Sequence, residues 1–480
     1  MSSTPASAIA PVAARVEGWG MVVGGIAQVV QPTSVAAIRA AVDLARASGQ
    51  KIALRGAGCS YGDASCGTGK LVLDFTRFNR ILDFHADTGV IRVEAGATIG
   101  DIWQHVLPHG WWPPVVSGTM APTLGGAVAM NIHGKNAYRV GPIGEHVLRL
   151  RVLLMDGTER ALTPDDPLFA AVIGGFGELA IITEVELQLK HIYSGQLDVD
   201  ALCGSNLAEI FKIFDDWQDR SDYLVAWIDA FAAGKSLGRG LVHMAHQLPP
   251  GADPHPDKRM TVASQTLPSR LFGVIPKSWM WALLWPFSNN LGMRFVNLVK
   301  YGSARLLEHG KRYRQGHAAF HFLLDYVPNW KWAYKPGGLI QHQIFLPKAE
   351  AQRVFGEVFA LQHRYGLPTW LAVMKRHRPD RFLLTHGLDG YSMAQDFAVT
   401  AGNRDRLWQM CHEVDAIVTA AGGRFYFAKD ATLRPESVLA AWPKANLQQF
   451  AALRRELDPQ GLLATDLYER AVAPALEKLS

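Results

Sequence analysis

The chain has 480 residues, a formal net charge of +5 and an apolar fraction of 49%. This is the composition of a folded globular protein too long for one ordinary core. Without a block of lysines and arginines, the charge does not indicate a nucleic-acid partner. The four cysteines lack the spacing of a metal site or a disulfide framework, so we expect reduced thiols, no bound metal and a cytoplasmic location.

No membrane-targeting or membrane-spanning segment is expected from the sequence. The N-terminal residues lack the basic start and apolar core of a Sec signal. No apolar run reaches the roughly 18 residues that a membrane span needs.

The first predicted elements mix helix, strand and hairpin. Residues 33–49 have helical apolar spacing, with Thr33 or Ser34 as N-cap and Gly49 at the end. A buried strand over 51–56 and another over 70–75 follow. We then predict a hairpin over 80–96, a short helix that ends at Gly110 and a second hairpin over 146–164. Hairpins rather than steady βαβ alternation indicate an α+β fold.

The pattern changes after about Ser194. Tryptophans cluster, strands are predicted over 223–231 and 337–347, and a helix is predicted over 349–366. Near Gly422 a glycine-rich corner begins a helical C-terminal segment. We therefore predict two domains, one from residues 1–193 and 424–480 and the other from residues 194–423.

Three glycine-rich segments lie beside predicted strands, over residues 55–69, 115–146 and 174–187. The first does not fit a Rossmann fingerprint, because the spacing of Gly56, Gly58 and Gly62 has one residue too many and no helix follows. Asp74 is therefore not read as a ribose-binding acid. Together the three segments indicate a large ligand, such as a dinucleotide, that is surrounded by backbone.

The segments "RGAGCSYGD", "SGT…TLGGAVAMNIHGKN" and "GGFGELAIITEVEL" resemble the three FAD-wrapping segments of the vanillyl-alcohol oxidase superfamily, which has the PCMH-type FAD-binding fold. Within it the chain most resembles the flavin oxidases of decaprenylphosphoryl-ribose epimerisation, nearly end to end, with "IHGKN" and "YFAKD" as the sharpest matches. The resemblance implies that residues 1–193 and 424–480 bind FAD. It implies that residues 194–423 form a substrate domain built on an antiparallel sheet.

The resemblance also implies the residues that contact FAD, with the first loop receiving the pyrophosphate. They are Arg55, Gly56, Ala57, Gly58, Cys59, Ser60, Tyr61, Gly62, Ser117, Gly118, Thr119, Thr123, Gly125, Gly126, Ala129, Asn131, His133, Gly134, Asn136, Ile181, Ile182 and Tyr426. Relatives that bind FAD covalently often carry a histidine in the first loop, where this chain has Cys59. We therefore expect noncovalent FAD.

Oxidation of a sugar carbinol needs a hydride acceptor, a proton acceptor and positive charge near the reduced flavin. The resemblance points to Lys429 and His133 as the catalytic pair, and the identity of the general base stays open. Gln341 and Gln343 alternate on a predicted strand and so face one side, which the resemblance places toward the substrate. The full set of implied substrate residues is Lys135, Trp227, His321, Gln341, Gln343, Lys375, Ser392 and Lys429.

The chain departs from the mycobacterial pattern around the substrate. Ala394 stands where a cysteine is expected, Ser392 where an asparagine is usual, and His321 where a tyrosine is expected. Because these positions surround the substrate, the resemblance specifies the flavin more closely than it specifies the sugar or the lipid.

The tryptophan-rich segment over 279–301 has two interpretations. It is either a buried helix pair or a lid or interfacial patch that admits a polyprenyl tail and contacts the inner membrane peripherally. The resemblance implies oxidation of C2 of a polyprenyl-phosphoryl pentose, with a separate NAD(P)H-dependent reductase as partner. The alternatives are a soluble aldonolactone or alditol oxidase that uses O₂, and a flavin- or lipid-binding protein without turnover.

Overall fold

A computed structural model describes residues 10–271 and 273–479 of the chain. The first nine residues, part of the segment inspected for a Sec signal, lie outside this range.

The strands of the N-terminal region are β1 Val12–Glu17, β2 Gly24–Val30, β3 Ile52–Arg55, β4 Leu71–Asp74, β5 Ile81–His85, β6 Val90–Glu94, β7 Trp111–Trp112, β8 Val147–Leu153, β9 Glu159–Leu162, β10 Ile181–Gln188 and β11 Lys190–His191. The later strands are β12 Gln196–Gly204, β13 Tyr223–Ile228, β14 Gly240–Gln247, β15 Arg270–Leu271, β16 Ile275–Pro276, β17 Lys311–Gly316, β18 Leu339–Pro347, β19 Leu371–His377, β20 Gly390–Ala398 and β21 Arg424–Phe425.

The α-helices are α1 Val35–Ser48, α2 Ile99–Val106, α3 Leu124–Ala129, α4 Ala137–Val140, α5 Pro167–Val172, α6 Leu207–Trp217, α7 Pro256–Arg259, α8 Val262–Gln265, α9 Met280–Leu284, α10 Asn290–Leu307, α11 His317–His321, α12 Lys348–Tyr365, α13 Arg404–Ala420, α14 Pro435–Ala441, α15 Lys444–Leu457 and α16 Ala473–Glu477. Short 3₁₀ helices lie at 75–77, 107–109, 143–146, 234–236, 277–279, 285–287, 323–326 and 330–334, and a π-helical turn at 468–472.

The N-terminal region contains two small sheets and a two-stranded pairing of β7 with β11. Strands β1-β2-β4-β3 form the first, in which β4 runs parallel to both β2 and β3, and β5-β6-β10-β8-β9 form the second, which is antiparallel. The predicted helix at 33–49 is confirmed as α1, where Ser34 accepts a hydrogen bond from the Ala37 N–H and Gly49 is left-handed at φ 66°. Both predicted hairpins are confirmed as β5–β6 and β8–β9.

The later strands form an eight-stranded antiparallel sheet, in the order β17-β12-β14-β13-β19-β20-β18-β21, and a separate pair, β15 with β16. Helices α12 and α13 cover one face of this sheet. The side-chain amide of Gln362 in α12 donates to Gln395, and His342 Nε2 lies 2.9 Å from Asp415 Oδ1 of α13. This antiparallel sheet beside mixed helices confirms the predicted α+β class. The boundaries near residues 194 and 424 stay a prediction.

The tryptophan-rich segment is exposed rather than buried. Trp279 and Leu291 expose 68% and 81% of their surface, so the interpretation as a buried helix pair is wrong. We call residues 274–307 the Trp-rich face. None of the helices in the described part of the chain is long and apolar enough to cross a membrane.

Candidate active site

The three glycine-rich segments converge on one place. The Tyr61 N–H in the first loop donates to the Ala428 carbonyl at 2.9 Å. A Cβ at Gly62 would lie 1.4 Å from the carbonyl oxygen of Asp430, so only glycine permits this packing. A Cβ at Gly56 would lie 2.2 Å from Oγ1 of Thr123 in the second segment. The first loop is thus held between the second segment and the C-terminal "YFAKD" motif.

The second and third segments are joined by backbone hydrogen bonds. Gly174 N–H donates to the Val128 carbonyl at 3.1 Å, and Phe176 N–H donates to the Ala129 carbonyl at 2.9 Å. Asn131, at the end of α3, is left-handed at φ 45°, and its Oδ1 accepts from the Gly144 N–H at 3.0 Å. This conformation turns the chain from α3 into the "IHGKN" motif.

Donor groups at this junction fit a dinucleotide. In the described chain, the backbone N–H groups of residues 57–60 donate to no protein acceptor. Among the described residues, Asn131 Nδ2 and His133 Nδ1 are buried without a hydrogen-bond partner. Buried polar atoms without hydrogen-bond partners are rare in folded proteins unless a ligand or water completes them. A cofactor that carries both phosphates and a ring system would supply partners for these groups. These residues therefore fit FAD.

Predicted cofactor residues lie along this junction. Residues 55–62 form the end of β3 and the first loop, 117–119 precede α3, 123–129 cap and form α3, and 131–136 follow it. Ile181 and Ile182 begin β10, and Tyr426 directly follows β21. The Arg55 guanidinium donates to the backbone carbonyls of Ser65 and Glu17, at 3.2 and 3.1 Å. That these residues contact FAD stays a prediction.

His133 lies in a cluster of buried rings. Its ring centroid is 4.8 Å from that of His377, 5.4 Å from that of His386 and 5.4 Å from that of Tyr426. Its Nε2 lies 2.9 Å from the amide nitrogen of Gln343. Burial, aided by the charges of nearby cationic groups, lowers the pKa of His133 well below its ordinary value. The imidazole is therefore neutral at pH 7.

Lys429 lies beside a buried carboxylate. Its Nζ is 3.8 Å from the ring centroid of Tyr61. Burial lowers the pKa of Lys429, and the charge of Asp396 partly opposes this. Burial in turn raises the pKa of Asp396, whose Oδ1 accepts from the Gln341 amide, and whose Oδ2 has no hydrogen-bond partner within the described chain. The two opposite shifts bring the pKa values of the amine and the carboxyl group toward each other.

The register of the eight-stranded sheet puts most predicted substrate residues on its second face. Gln341 pairs with Asp396, Gln343 with Ala394, and Ser392 with Lys375. Paired residues in antiparallel strands share a face, and alternate residues return to it. Trp227 pairs with Val373, two residues before Lys375, so it joins the same face. Burial lowers the pKa of Lys375 to about 8.

Lys135 and His321 lie at another edge of this face. Lys135 Nζ donates to the Phe320 carbonyl and to that of His321 at 3.4 Å. The His321 ring packs 4.7 Å from Tyr223 and 6.0 Å from Trp112, centroid to centroid. Lys135 is thus engaged by protein, whereas His321 Nε2 is buried without a hydrogen-bond partner in the described chain. Contact of either residue with a substrate stays a prediction.

Three residues at this site were not predicted from the sequence. Asp396 follows Ser392 and Ala394 at the spacing of alternate strand positions, and His377 follows Lys375 at the same spacing. Because alternate residues of a strand face the same side, this spacing could have identified both residues from the sequence. His386 lies in the loop between β19 and β20, and no pattern in the sequence indicates it.

Comparison with known proteins agrees with this geometry. Residues 26–163 match the model of a family described as FAD binding domain. The chain is 30% identical over 95% of its length to decaprenylphosphoryl-beta-D-ribose oxidase of Mycolicibacterium smegmatis, and covers 97% of that protein. It is 24% identical over 46% of its length to L-gulono-1,4-lactone dehydrogenase of Mycobacterium tuberculosis, of which it covers 50%. It is 27% identical over 40% of its length to L-gulonolactone oxidase of Mus musculus, of which it covers 43%. Glycine segments that fit FAD and a nearly full-length relative together show that this chain is an FAD-dependent oxidoreductase of the family that includes decaprenylphosphoryl-β-D-ribose oxidase.

Proposed function

We propose that the protein oxidises the C2 hydroxyl of a polyprenyl-phosphoryl pentose, such as decaprenylphosphoryl-ribose, to a 2-keto sugar. This is the first half of an epimerisation, and a separate NAD(P)H-dependent reductase completes it. The similarity to the Mycolicibacterium smegmatis oxidase along 95% of the chain supports the substrate class.

The observation that carries the proposal is an exposed apolar surface beside the second face of the eight-stranded sheet. Tyr301 and Ala304 of α10 pack in one buried cluster with Trp227, and Lys300 Nζ lies 4.4 Å from the Trp227 ring centroid. On its other side α10 exposes Leu291 and Leu306, at 81% and 82% of their surface. A free sugar needs no such surface, whereas a polyprenyl tail does.

The same surface supports peripheral contact with the inner membrane. The Trp-rich face presents Trp279 and Trp285, exposed at 68% and 55%, beside Lys277 and Arg294. Amphipathic rings at headgroup depth with cations near lipid phosphate are typical of interfacial binding. We propose that substrate reaches the site from this side.

Different side chains of the site take part in different steps of the oxidation. When bound, FAD supplies the acceptor for the hydride that leaves the carbinol carbon. Lys429, whose pKa is lowered by burial, can exist as the neutral amine and take the hydroxyl proton. The ammonium that forms then lies in a low-dielectric site, where it favours nearby negative charge. Gln341 and Lys375 are placed on the sheet face to hold the sugar.

Anaerobic mixing of the FAD-loaded protein with matched substrates tests the proposal. We expect a polyprenyl-phosphoryl ribose to bleach the flavin at least tenfold faster than L-gulono-1,4-lactone or an alditol at equal concentration. Faster bleaching by the lactone or the alditol would instead assign a soluble aldonolactone or alditol oxidase. Bound FAD that none of the three bleaches would make the protein a flavin- or lipid-binding protein without turnover.

A further inference from the structure

Four buried side chains form one hydrogen-bonded row at the site: His133, Gln343, Ser392 and His377. The Gln343 amide nitrogen lies 2.9 Å from His133 Nε2 and 3.5 Å from Ser392 Oγ. Ser392 Oγ lies 2.7 Å from His377 Nε2. The row thus joins a predicted catalytic residue to a histidine that has no role in the proposed function.

The direction of each bond follows once the Gln343 amide nitrogen is taken to face the row, as it does in the structure. A primary amide nitrogen carries two protons, so Gln343 donates to both His133 Nε2 and Ser392 Oγ. The hydroxyl of Ser392 then has its own proton to donate, and His377 Nε2 accepts it. An imidazole nitrogen that accepts carries no proton, so each neutral ring holds its proton on Nδ1.

Both rings are held neutral by their surroundings. Burial lowers the pKa values of His133 and His377 well below the ordinary range, and the charge of Lys375 adds to this. His377 also lines a cleft of about 330 Å³ together with Tyr138, Arg139, Gln218, Asp219, Arg376 and Arg378. Arg376, which lines the same cleft, opposes a positive charge on His377.

We propose that His377 and Ser392 are positioning residues that fix His133 as the Nδ1–H tautomer. His133 Nδ1 is buried and has no hydrogen-bond partner in the described chain, so its N–H is free to donate to a bound group. In this tautomer His133 has no free lone pair to take the hydroxyl proton, and that role falls to Lys429. The assignment of roles rests on the proposed function, whereas the tautomer itself does not.

The opposite orientation of the Gln343 amide defines the competing arrangement. Rotating the amide by 180° would place its oxygen against His133 Nε2 and Ser392 Oγ. His133 would then carry its proton on Nε2, and its Nδ1 lone pair would be free to act as a base. The two arrangements assign opposite functions to the same ring and place the imidazole proton on different nitrogens, which long-range proton–nitrogen correlations distinguish.

The test is nitrogen NMR of the FAD-loaded protein labelled with ¹⁵N-histidine, with the His133 signals assigned by their loss in His133→Gln. We expect the Nδ1–H pattern in the wild-type protein. His377→Phe and Ser392→Ala each remove a link of the row, so in either variant we expect the Nε2–H form to become a major or the dominant species. His377→Gln, which restores an acceptor, should return the wild-type pattern.

His386→Phe is the matched control, because His386 packs 5.4 Å from His133 but lies outside the row. We expect it to leave the His133 tautomer unchanged. An Nε2–H pattern in the wild-type protein, or an unchanged Nδ1–H pattern in both His377→Phe and Ser392→Ala, would overturn the proposal. No sugar is present in these spectra, so a wrong substrate would leave their outcome untouched.

Discussion

Lys429→Met removes both the amine that takes the hydroxyl proton and the ammonium charge that then forms, while keeping most of the side-chain volume. Two unit charges about 4 Å apart interact by about 4 kcal/mol at an effective dielectric constant of about 20. Because Lys429 is half-buried and the Asp396 carboxylate partly offsets its charge, we expect its loss to weaken the stabilisation by less than this energy. Loss of one preorganised electrostatic partner costs about 100- to 1000-fold. We expect the rate of flavin reduction to fall about a hundredfold.

Stopped-flow bleaching of the folded, FAD-loaded variant by a polyprenyl-phosphoryl pentose measures this rate. Lys190→Met is the matched control, because Lys190 also packs on a tyrosine ring, at 5.2 Å from the Tyr223 centroid, and its pKa is also lowered by burial. We expect its rate to stay within about twofold of wild type. A Lys429→Met rate within about threefold of wild type would remove Lys429 from the site.

Three further predictions test the cofactor, the membrane contact and the buried carboxylate. FAD should leave the protein intact on acid precipitation, because burial raises the pKa of the Cys59 thiol to about 11 and a neutral thiol is a poor nucleophile; flavin that stays in the pellet would contradict this. Trp279→Ser with Trp285→Ser should reduce sedimentation with anionic vesicles at least fivefold at unchanged FAD content, and unchanged sedimentation would refute the membrane contact. Asp396→Asn removes the charge that raises the pKa of Lys429, so the pH at which flavin reduction reaches half its maximal rate should move down, and a shift upward or none would count against the pairing.

Local features of the fold were predictable from the sequence. The first helix, with its cap at Thr33 or Ser34 and its end at Gly49, and the two hairpins depend on residues near one another in the chain. The structure confirms these elements and shows Ser34 as the cap. Period two placed Gln341 and Gln343 on one face of a strand, and β18 confirms it.

Pairings between distant segments were not predictable. The parallel pairing of β4 with β2 and β3, and the neighbours of β13, are set by packing across long stretches of chain rather than by local spacing. His386 reaches His133 from a loop about 250 residues away in sequence. The hydrogen-bonded row at His133 therefore emerges only when β18, β19 and β20 lie side by side.

The measurement that tests the central claim most directly is the deuterium isotope effect on anaerobic flavin bleaching. The substrate is a polyprenyl-phosphoryl ribose that carries deuterium at C2 of the sugar, compared with the same compound deuterated at C3. Breaking the C2–H bond is the proposed oxidation step, so we predict that the C2-deuterated compound bleaches the flavin severalfold more slowly and yields the 2-keto sugar. An equal rate for C2 deuterium and unlabelled substrate, with slower bleaching by the C3-deuterated compound or a product oxidised elsewhere, would contradict the account.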